Sequence, residues 1–349
     1  MKYCTLTLLY LLLVICPQSL GAESRKVGVI APLSGPLADV GETVRQSVLL
    51  ADEDYDAHSK WEFLFEDDQF NSKVTVAAFR KLADINGVQA AISFGSSTSI
   101  SISDIAERAK LPLFTIGISD KMTEGRRYVF RHFPTAGRQH SAIRQEMVRR
   151  GYKRIALVTM AQDAMLNMRE LMLADSPAEI AFSEEVLPSD NDFRSIAARI
   201  KAKEPDAVYL LVLAPNLSTL ARQLRDIGYG GQFFAAAHLQ TKAEVVAARG
   251  ALEGAWFATA DDGPSADFVS RYYARFHTYP HPDGMHAYDI AKILIGIGDS
   301  ADILSAVQRQ SEFHGIFGRY SLGDKNTFEL PVMLKTVKEG TFVALHPNS

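Results

Sequence analysis

Cysteine is almost missing from this chain: of 349 residues only Cys4 and Cys16 are cysteines, and both lie in an amino-terminal stretch that reads as a cleavable leader. The mature chain is therefore expected to hold no thiol nucleophile, no disulfide and no cysteine-based metal site. Long apolar runs are missing after the leader, so no spanning helix is expected and the mature protein should be soluble. No run of Lys or Arg interleaved with aromatics occurs, and the formal net charge is −4, one unit more negative once Lys2 leaves with the leader. Nucleic acid and anionic membrane surfaces are not expected partners. A G-x-S-x-G elbow, a G-x-G-x-x-G loop after the first strand and a Walker A lysine loop are also missing, which argues against an enzyme and against a cofactor.

What is present begins with that leader. Lys2 supplies the positive region, residues 6–15 an apolar core too short to span a bilayer, and Ser19-Leu20-Gly21-Ala22 a small-residue cleavage site, so 1–22 reads as a signal peptide and the protein as periplasmic. Leu13-Val14-Ile15-Cys16 approximates a lipoprotein box, but Ile15 stands where a small residue is wanted and Pro17 follows. Plain secretion is favoured over a lipid anchor at Cys16.

Directly after the leader, KVGVIAPLSGPLADVG reads as a buried strand running into a Gly/Pro turn and a helix. The same rhythm continues along most of the chain. Strands are expected at 26–31, 61–66, 89–94, 111–116, 154–159, 207–213, 232–237 and 255–259, mostly as continuous apolar runs of parallel-sheet character. Helices are expected between and after them at 41–54, 72–84, 101–109, 139–150, 163–174, 192–203, 216–227, 240–248, 265–277, 285–297 and 300–311. Such alternation gives βαβ units and an α/β fold of doubly wound sheets, and the length suits two domains. The carboxyl-terminal segment departs from it: turn chemistry at Gly323-Asp324-Lys325-Asn326 and Glu339-Gly340 points to late edge strands.

These residues resemble the periplasmic solute-binding proteins of the branched-chain amino acid (Leu/Ile/Val-binding) type. The likeness rests on the order of VGVIAPLSGPLADVG, FGSSTSISISDIAERAKLPLFTIGIS, AVYLLVLAPNLSTLARQLRDIGYGGQFFAAA, HAYDIAKILIGI and FHGIFGRYSL with EGTF, and spans nearly the whole mature chain. It implies two α/β lobes joined by three crossovers, 25–133 plus 262–317 and 138–258 plus 324–346, with hinge closure around a small solute. It also implies a membrane ABC permease as partner, a receptor working as a monomer, and no catalysis. A sensor presenting its closed form to a membrane signalling partner would look alike.

Gly95-Ser96-Ser97-Thr98 falls between a buried strand and a helix, so its N–H groups and hydroxyls gather where unpaired donors and the positive dipole end favour an anion. Gly117-Ile118-Ser119-Asp120 repeats the arrangement after the next strand. The resemblance implies that Ser96 and Ser119 hold the ligand through their hydroxyls and Ile118 through its backbone. In the second lobe the family's acidic residue after QFFAAA is replaced by His238, and the aromatic residues expected to pack on a ligand are replaced by Val40, Ala164-Met165 and Leu213-Ala214. The expected ligand is thus a small carboxylate-bearing molecule, with organic or aromatic acids preferred to leucine, isoleucine or valine.

Three further groups invite a reading. His277, His281 and His286 are expected in a solvated loop, since Pro280 and Pro282 deny a helical metal face. Met165, Met168 and Met172 are expected in the core, and Glu66-Asp67-Asp68 in a solvated turn.

Overall fold

The structure is a computed structural model and describes residues 24–58, 60–298 and 300–345. The leader, its cleavage site and Cys16 lie outside the described residues. β1 (Arg25–Ala31), β2 (Trp61–Asp67), β3 (Ala90–Phe94), β4 (Leu113–Ile116) and β5 (Val129–Arg131) form one parallel sheet in the order β2-β1-β3-β4-β5. β6 (Arg154–Met160), β7 (Glu179–Val186), β8 (Ala207–Leu211), β9 (Gln232–Ala235) and β10 (Trp256–Ala260) repeat that order as β7-β6-β8-β9-β10 in a second sheet. β11 (Phe313–Gly315) pairs with β12 (Gly318–Tyr320) as a separate hairpin, while β13 (Val332–Lys338) and β14 (Thr341–Ala344) extend the second sheet antiparallel at its β10 edge. Edge pairing of that kind needs no crossover helix, which is why the strand–helix rhythm stops there.

The central strands β3, β4 and β8 are buried at every residue, as continuous apolar runs require in a sheet covered on both faces. Two strands escaped the sequence reading. β7 is a largely half-exposed edge strand carrying Glu179, Glu184 and Glu185, and β5 is only three residues long, so neither presents a run of apolar residues. In the second sheet Tyr209, Phe234 and Trp256 stack in sequence, with centroids 4.5 and 5.1 Å apart. Met165, Met168 and Met172 are fully buried, in the core as expected.

Helices connect and cover the strands: α1 (Ala38–Asp54), α2 (Ser72–Arg80), α3 (Ser96–Ala109), α4 (Ala136–Arg150), α5 (Asp163–Ala174), α6 (Arg194–Ala202), α7 (Asn216–Asp226), α8 (Lys242–Ala247), α9 (Ala266–Phe276), α10 (Pro282–Gly296) and α11 (Ile303–Gln308). α3 starts earlier than the apolar spacing indicated, and its Ser/Thr residues bond to the preceding backbone: the Thr98 hydroxyl donates to Phe94 O at the end of β3 and the Ser103 hydroxyl to Ser99 O. Such back-bonding gives the hydroxyls of short polar residues a partner inside a helix. α10 also starts earlier, with Pro282 in its first turn and His281 as N-cap, the position where a proline's missing N–H costs nothing. His281 and His286 are consequently buried, not solvated, and only His277 of the three is exposed.

α10 lies tightly on α1. A Cβ at Gly284 would come within 2.7 Å of Thr43 and 2.9 Å of the Val40 carbonyl, so only glycine permits that approach. The acidic run after β2 is likewise structural. Asp68 is buried and accepts from Phe70 N–H and the Thr75 hydroxyl, and Asp67 accepts from Leu33 N–H, Ser34 N–H and the Ser34 hydroxyl. Asp67 thus pins the loop after β1 and Asp68 the turn from β2 into α2, instead of sitting in a solvated turn.

The chain passes between the sheets after β5, after β10 and after β12. A fully buried polar network sits at these passages: His132 Nδ1 lies 3.0 Å from His286 Nδ1, His132 Nε2 lies 3.0 Å from the Tyr320 hydroxyl, and that hydroxyl donates to Asp289 at 3.0 Å. Burial holds the His132 imidazole at about 3 and raises the Asp289 carboxyl to about 6.

Candidate functional site

The carboxyl ends of the two parallel sheets face each other across a cavity of about 90 Å³. Both sheets reverse their strand order beside their first strand, and in such sheets the loops at that reversal diverge and leave a crevice. From the first sheet come Ser96 at the start of α3, Ile116, Gly117 and Ile118 around the end of β4, and Phe70 and Phe94. From the second come Ala164 and Met165 on α5, Leu213 and Ala214 after β8, and His238 and Thr241 after β9. Val40 on α1, Phe133, His281 and Asp283 complete much of the rest. The lining is mostly apolar, with a few convergent polar groups, as small-molecule sites commonly are.

Ser96 is 6% exposed, and its hydroxyl is oriented by the backbone. The N–H groups of Ile118 and Ser119 both donate to Ser96 Oγ, each at 3.1 Å. A serine hydroxyl has two acceptor sites and one donor; with both acceptor sites filled, Ser96 presents a proton. Gly95, at φ +93° with Phe70 and Thr98 crowding the space a Cβ would fill, is the backbone reversal that turns β3 into α3. Beyond it the Ser96, Ser97 and Thr98 N–H groups open the helix without an acceptor among the described residues. This corner holds N–H and O–H donors at the positive end of a helix.

Other parts of the lining, from the turn after β9 and from the start of α10, form a wall that holds acceptors. His238 is 8% exposed in a 3₁₀ turn, and its Nε2 lies 2.8 Å from the Leu210 carbonyl. A carbonyl only accepts, so Nε2 carries the proton and Nδ1 is left as an acceptor with no partner. Burial depresses this imidazole to about 4, which keeps it neutral near pH 7. His281 is neutral for the same reason, with burial lowering it to about 4 against the pull of Asp39. Its Nδ1 accepts from Asp283 N–H at 3.2 Å, and its Nε2 faces the Thr241 hydroxyl at 3.4 Å. Asp283 itself is half-buried in the first turn of α10, where desolvation and then the charge of Asp39 raise its carboxyl to about 7.

Of the residues singled out from sequence, Ser96, Ile118 and His238 line the cavity together, and Ser97, Thr98 and Ser119 do not. The Ser97 hydroxyl donates across to Gln162 Oε1 at 3.0 Å, the Thr98 hydroxyl is spent on Phe94 and Gly95 carbonyls, and Ser119 Oγ accepts from Lys121 N–H at 3.4 Å. Ile118 meets the cavity with its side of the strand end, but its backbone is engaged: its N–H goes to Ser96 and its carbonyl accepts from Arg131. Val40, Ala164, Met165, Leu213 and Ala214 do line the cavity. Its aromatic lining comes instead from Phe70, Phe94 and Phe133, which the sequence reading missed, as it missed Asp283. Phe94 closes the buried FGSS strand and Asp283 follows His281-Pro282, so a Pro-started helix pointing at the crevice was the available signal. Among the described residues no group of three or more His, Cys, Asp or Glu is arranged to hold a metal, and no helix is long and apolar enough to cross a membrane.

Known proteins share this architecture. The model of the family described as periplasmic binding protein matches residues 24–341. A Leu/Ile/Val-binding protein of Rhizobium johnstonii is 27% identical over 217 residues, a stretch that spans 58% of this chain and 58% of that relative. A leucine-specific-binding protein of Salmonella typhimurium is 26% identical over 252 residues, 68% of this chain and 67% of its own length. Among solved structures, a branched-chain amino acid transporter substrate-binding protein from Streptococcus pneumoniae in complex with isoleucine superposes with a TM-score of 0.85 at 19% identity, covering 92% of this chain and 98% of that one. A solute-binding protein of an ABC transporter from Rhodopseudomonas palustris in complex with benzoate superposes at 0.82 with 21% identity, covering 93% and 96%. The fold is that of the type I periplasmic binding proteins, and the chain belongs to the periplasmic binding protein family, whose members are binding receptors and not enzymes.

Proposed function

We propose that this protein captures a small carboxylate-bearing solute between two lobes and presents the closed form to a membrane ABC permease. The lobes are 25–133 with 262–317 and 138–258 with 324–346. One observation carries the reading: in a mostly apolar cavity, Ser96 is fixed as a donor beside three helix-opening N–H groups that lack an acceptor among the described residues. A carboxylate fits such a corner without a cationic side chain. The lack of an acidic residue at position 238, where neutral His238 stands, favours organic and aromatic acids over branched-chain α-amino acids, whose ammonium would go unpaired on that side.

Closure is supported by hydrogen bonds that join residues of the two lobes: Ser97 to Gln162, and Asp120 N–H to Asn167 Oδ1 at 3.1 Å. Calorimetry on the mature chain with benzoate, pentanoate and leucine tests the ligand class. An acid binding at least tenfold more tightly than leucine is the expected result, and tight leucine binding without acid binding overturns it. Small-angle scattering with the bound acid should show a smaller radius of gyration; an unchanged radius removes the hinge.

A further inference from the structure

The acceptor wall has a consequence for what else the solute must carry. Asp283 lines the cavity, and its carboxylate has no hydrogen bond or ion pair among the described residues. His281 uses Nδ1 on the Asp283 backbone and Nε2 on Thr241, and is neutral. The close α1–α10 approach at Gly284 brings Asp39 near, which adds a like charge and not a counter-charge. His238, linked to the same wall through Thr241, whose hydroxyl faces both His281 Nε2 and the His238 carbonyl, contributes a second acceptor without a donor. His238 Nδ1 is a buried acceptor without a partner and the Asp283 carboxyl a half-buried one, and in a mostly apolar cavity an occupant that supplies donors to them is favoured.

We infer that the solute bears, besides its carboxylate, a hydrogen-bond donor directed at Asp283, either a hydroxyl or a protonated nitrogen, and that Asp283 is the residue that selects it. The inference rests on the carboxylate reading above. The full mature chain is tested by calorimetry with two matched pairs, benzoate with 4-hydroxybenzoate and pentanoate with 5-aminopentanoate. The donor-bearing member of at least one pair should bind ten- to a hundredfold more tightly, and Asp283→Asn should reduce that ratio below threefold. Whichever pair shows the preference identifies the donor as hydroxyl or ammonium. Equal binding within both pairs, or a preference that survives Asp283→Asn, overturns the selectivity and leaves the carboxylate site standing. Failure of all four acids to bind overturns both. The comparison of pairs on the unaltered protein needs no variant to fold, and a thermal melt of Asp283→Asn establishes that the altered chain does.

Discussion

The two sheets have the same strand order, yet the equivalent helix starts are finished in opposite ways. α3 follows β3, and α7 follows β8, each the third strand of its sheet. At α7 the protein supplies its own anion: Glu244 of α8, 4% exposed, accepts from Ser218 N–H at 2.7 Å. Asn216 N–H and Leu217 N–H meanwhile return to the Leu213 carbonyl. At α3 the corresponding N–H groups meet no side chain among the described residues, and a serine hydroxyl is turned to add another donor. A helix start left open inside a buried cavity is unfavourable in the empty protein, because each unpaired donor keeps its desolvation cost. One fold has therefore been closed by an internal carboxylate in one half and left to receive an external one in the other.

The halves also differ in what titrates beside the cavity, and this gives the largest expected effect. His238 has an imidazole near 4 in the folded protein against about 6.5 when unfolded. Between those values the unfolded state binds a proton that the folded state does not, so stability is intact above 6.5 and is lost as the pH falls toward 4. The displacement corresponds to about 3 kcal/mol. Asp283 in the first half runs the other way: its carboxyl near 7 keeps a proton that the unfolded chain has released, so its contribution is present below about 4 and is lost as the pH rises toward 7. Denaturant unfolding of wild type and His238→Gln at pH 7 and pH 4.5 separates them. The variant should lose less stability on acidification; parallel curves would mean that His238 is not held neutral.

Next in size is the effect of the helix starts themselves. Ser96→Ala should weaken binding of the best small acid by about 1.5–3 kcal/mol, ten- to a hundredfold in Kd, since a hydroxyl bonded to a charged group is lost. Glu244→Ala should cost about 1–2 kcal/mol of unfolding free energy through the lost cap, with acid affinity within twofold of wild type. Calorimetry and denaturant melts on both variants test the contrast. An affinity loss in Glu244→Ala as large as that in Ser96→Ala would dissolve the distinction between a closed and a receptive helix start.

Much of this architecture was legible because buried parallel strands are short apolar runs, and the eight expected strands are all present with boundaries shifted by at most two residues. β7 and β5 were not legible: a half-exposed edge strand carries no continuous apolar run, and three residues give no period. The donor corner was readable from Gly95-Ser96 because a glycine reversal before a helix needs no tertiary information. The acceptor wall was not. Asp283 reaches the cavity only because Gly284 lets α10 settle on α1 and because Pro282 starts the helix three residues earlier than its apolar spacing implied, and both are facts of packing. The replacement of the expected aromatic positions by Phe70, Phe94 and Phe133 has the same origin, since these residues belong to three different loops and strands that only the folded sheet brings together.

The smallest expected effect concerns the link between the halves. Ser97 stands one residue beyond Ser96 on the same helix start, but its hydroxyl leaves the cavity and reaches Gln162 at the start of α5. If the first half receives the solute at Ser96 and engages the second at Ser97, one helix turn serves both binding and closure, and the two should separate by mutation. Removing a half-buried neutral hydrogen bond costs about 0.5–1.5 kcal/mol, and here only the closed form loses it. Ser97→Ala should therefore weaken acid binding less than about tenfold, mainly by faster dissociation, while leaving the melting temperature of the ligand-free open form unchanged. Stopped-flow displacement of the bound acid reads the dissociation rate directly. An unchanged rate would show that Ser97 is only a helix-start residue and that the bond to Gln162 does not hold the halves together.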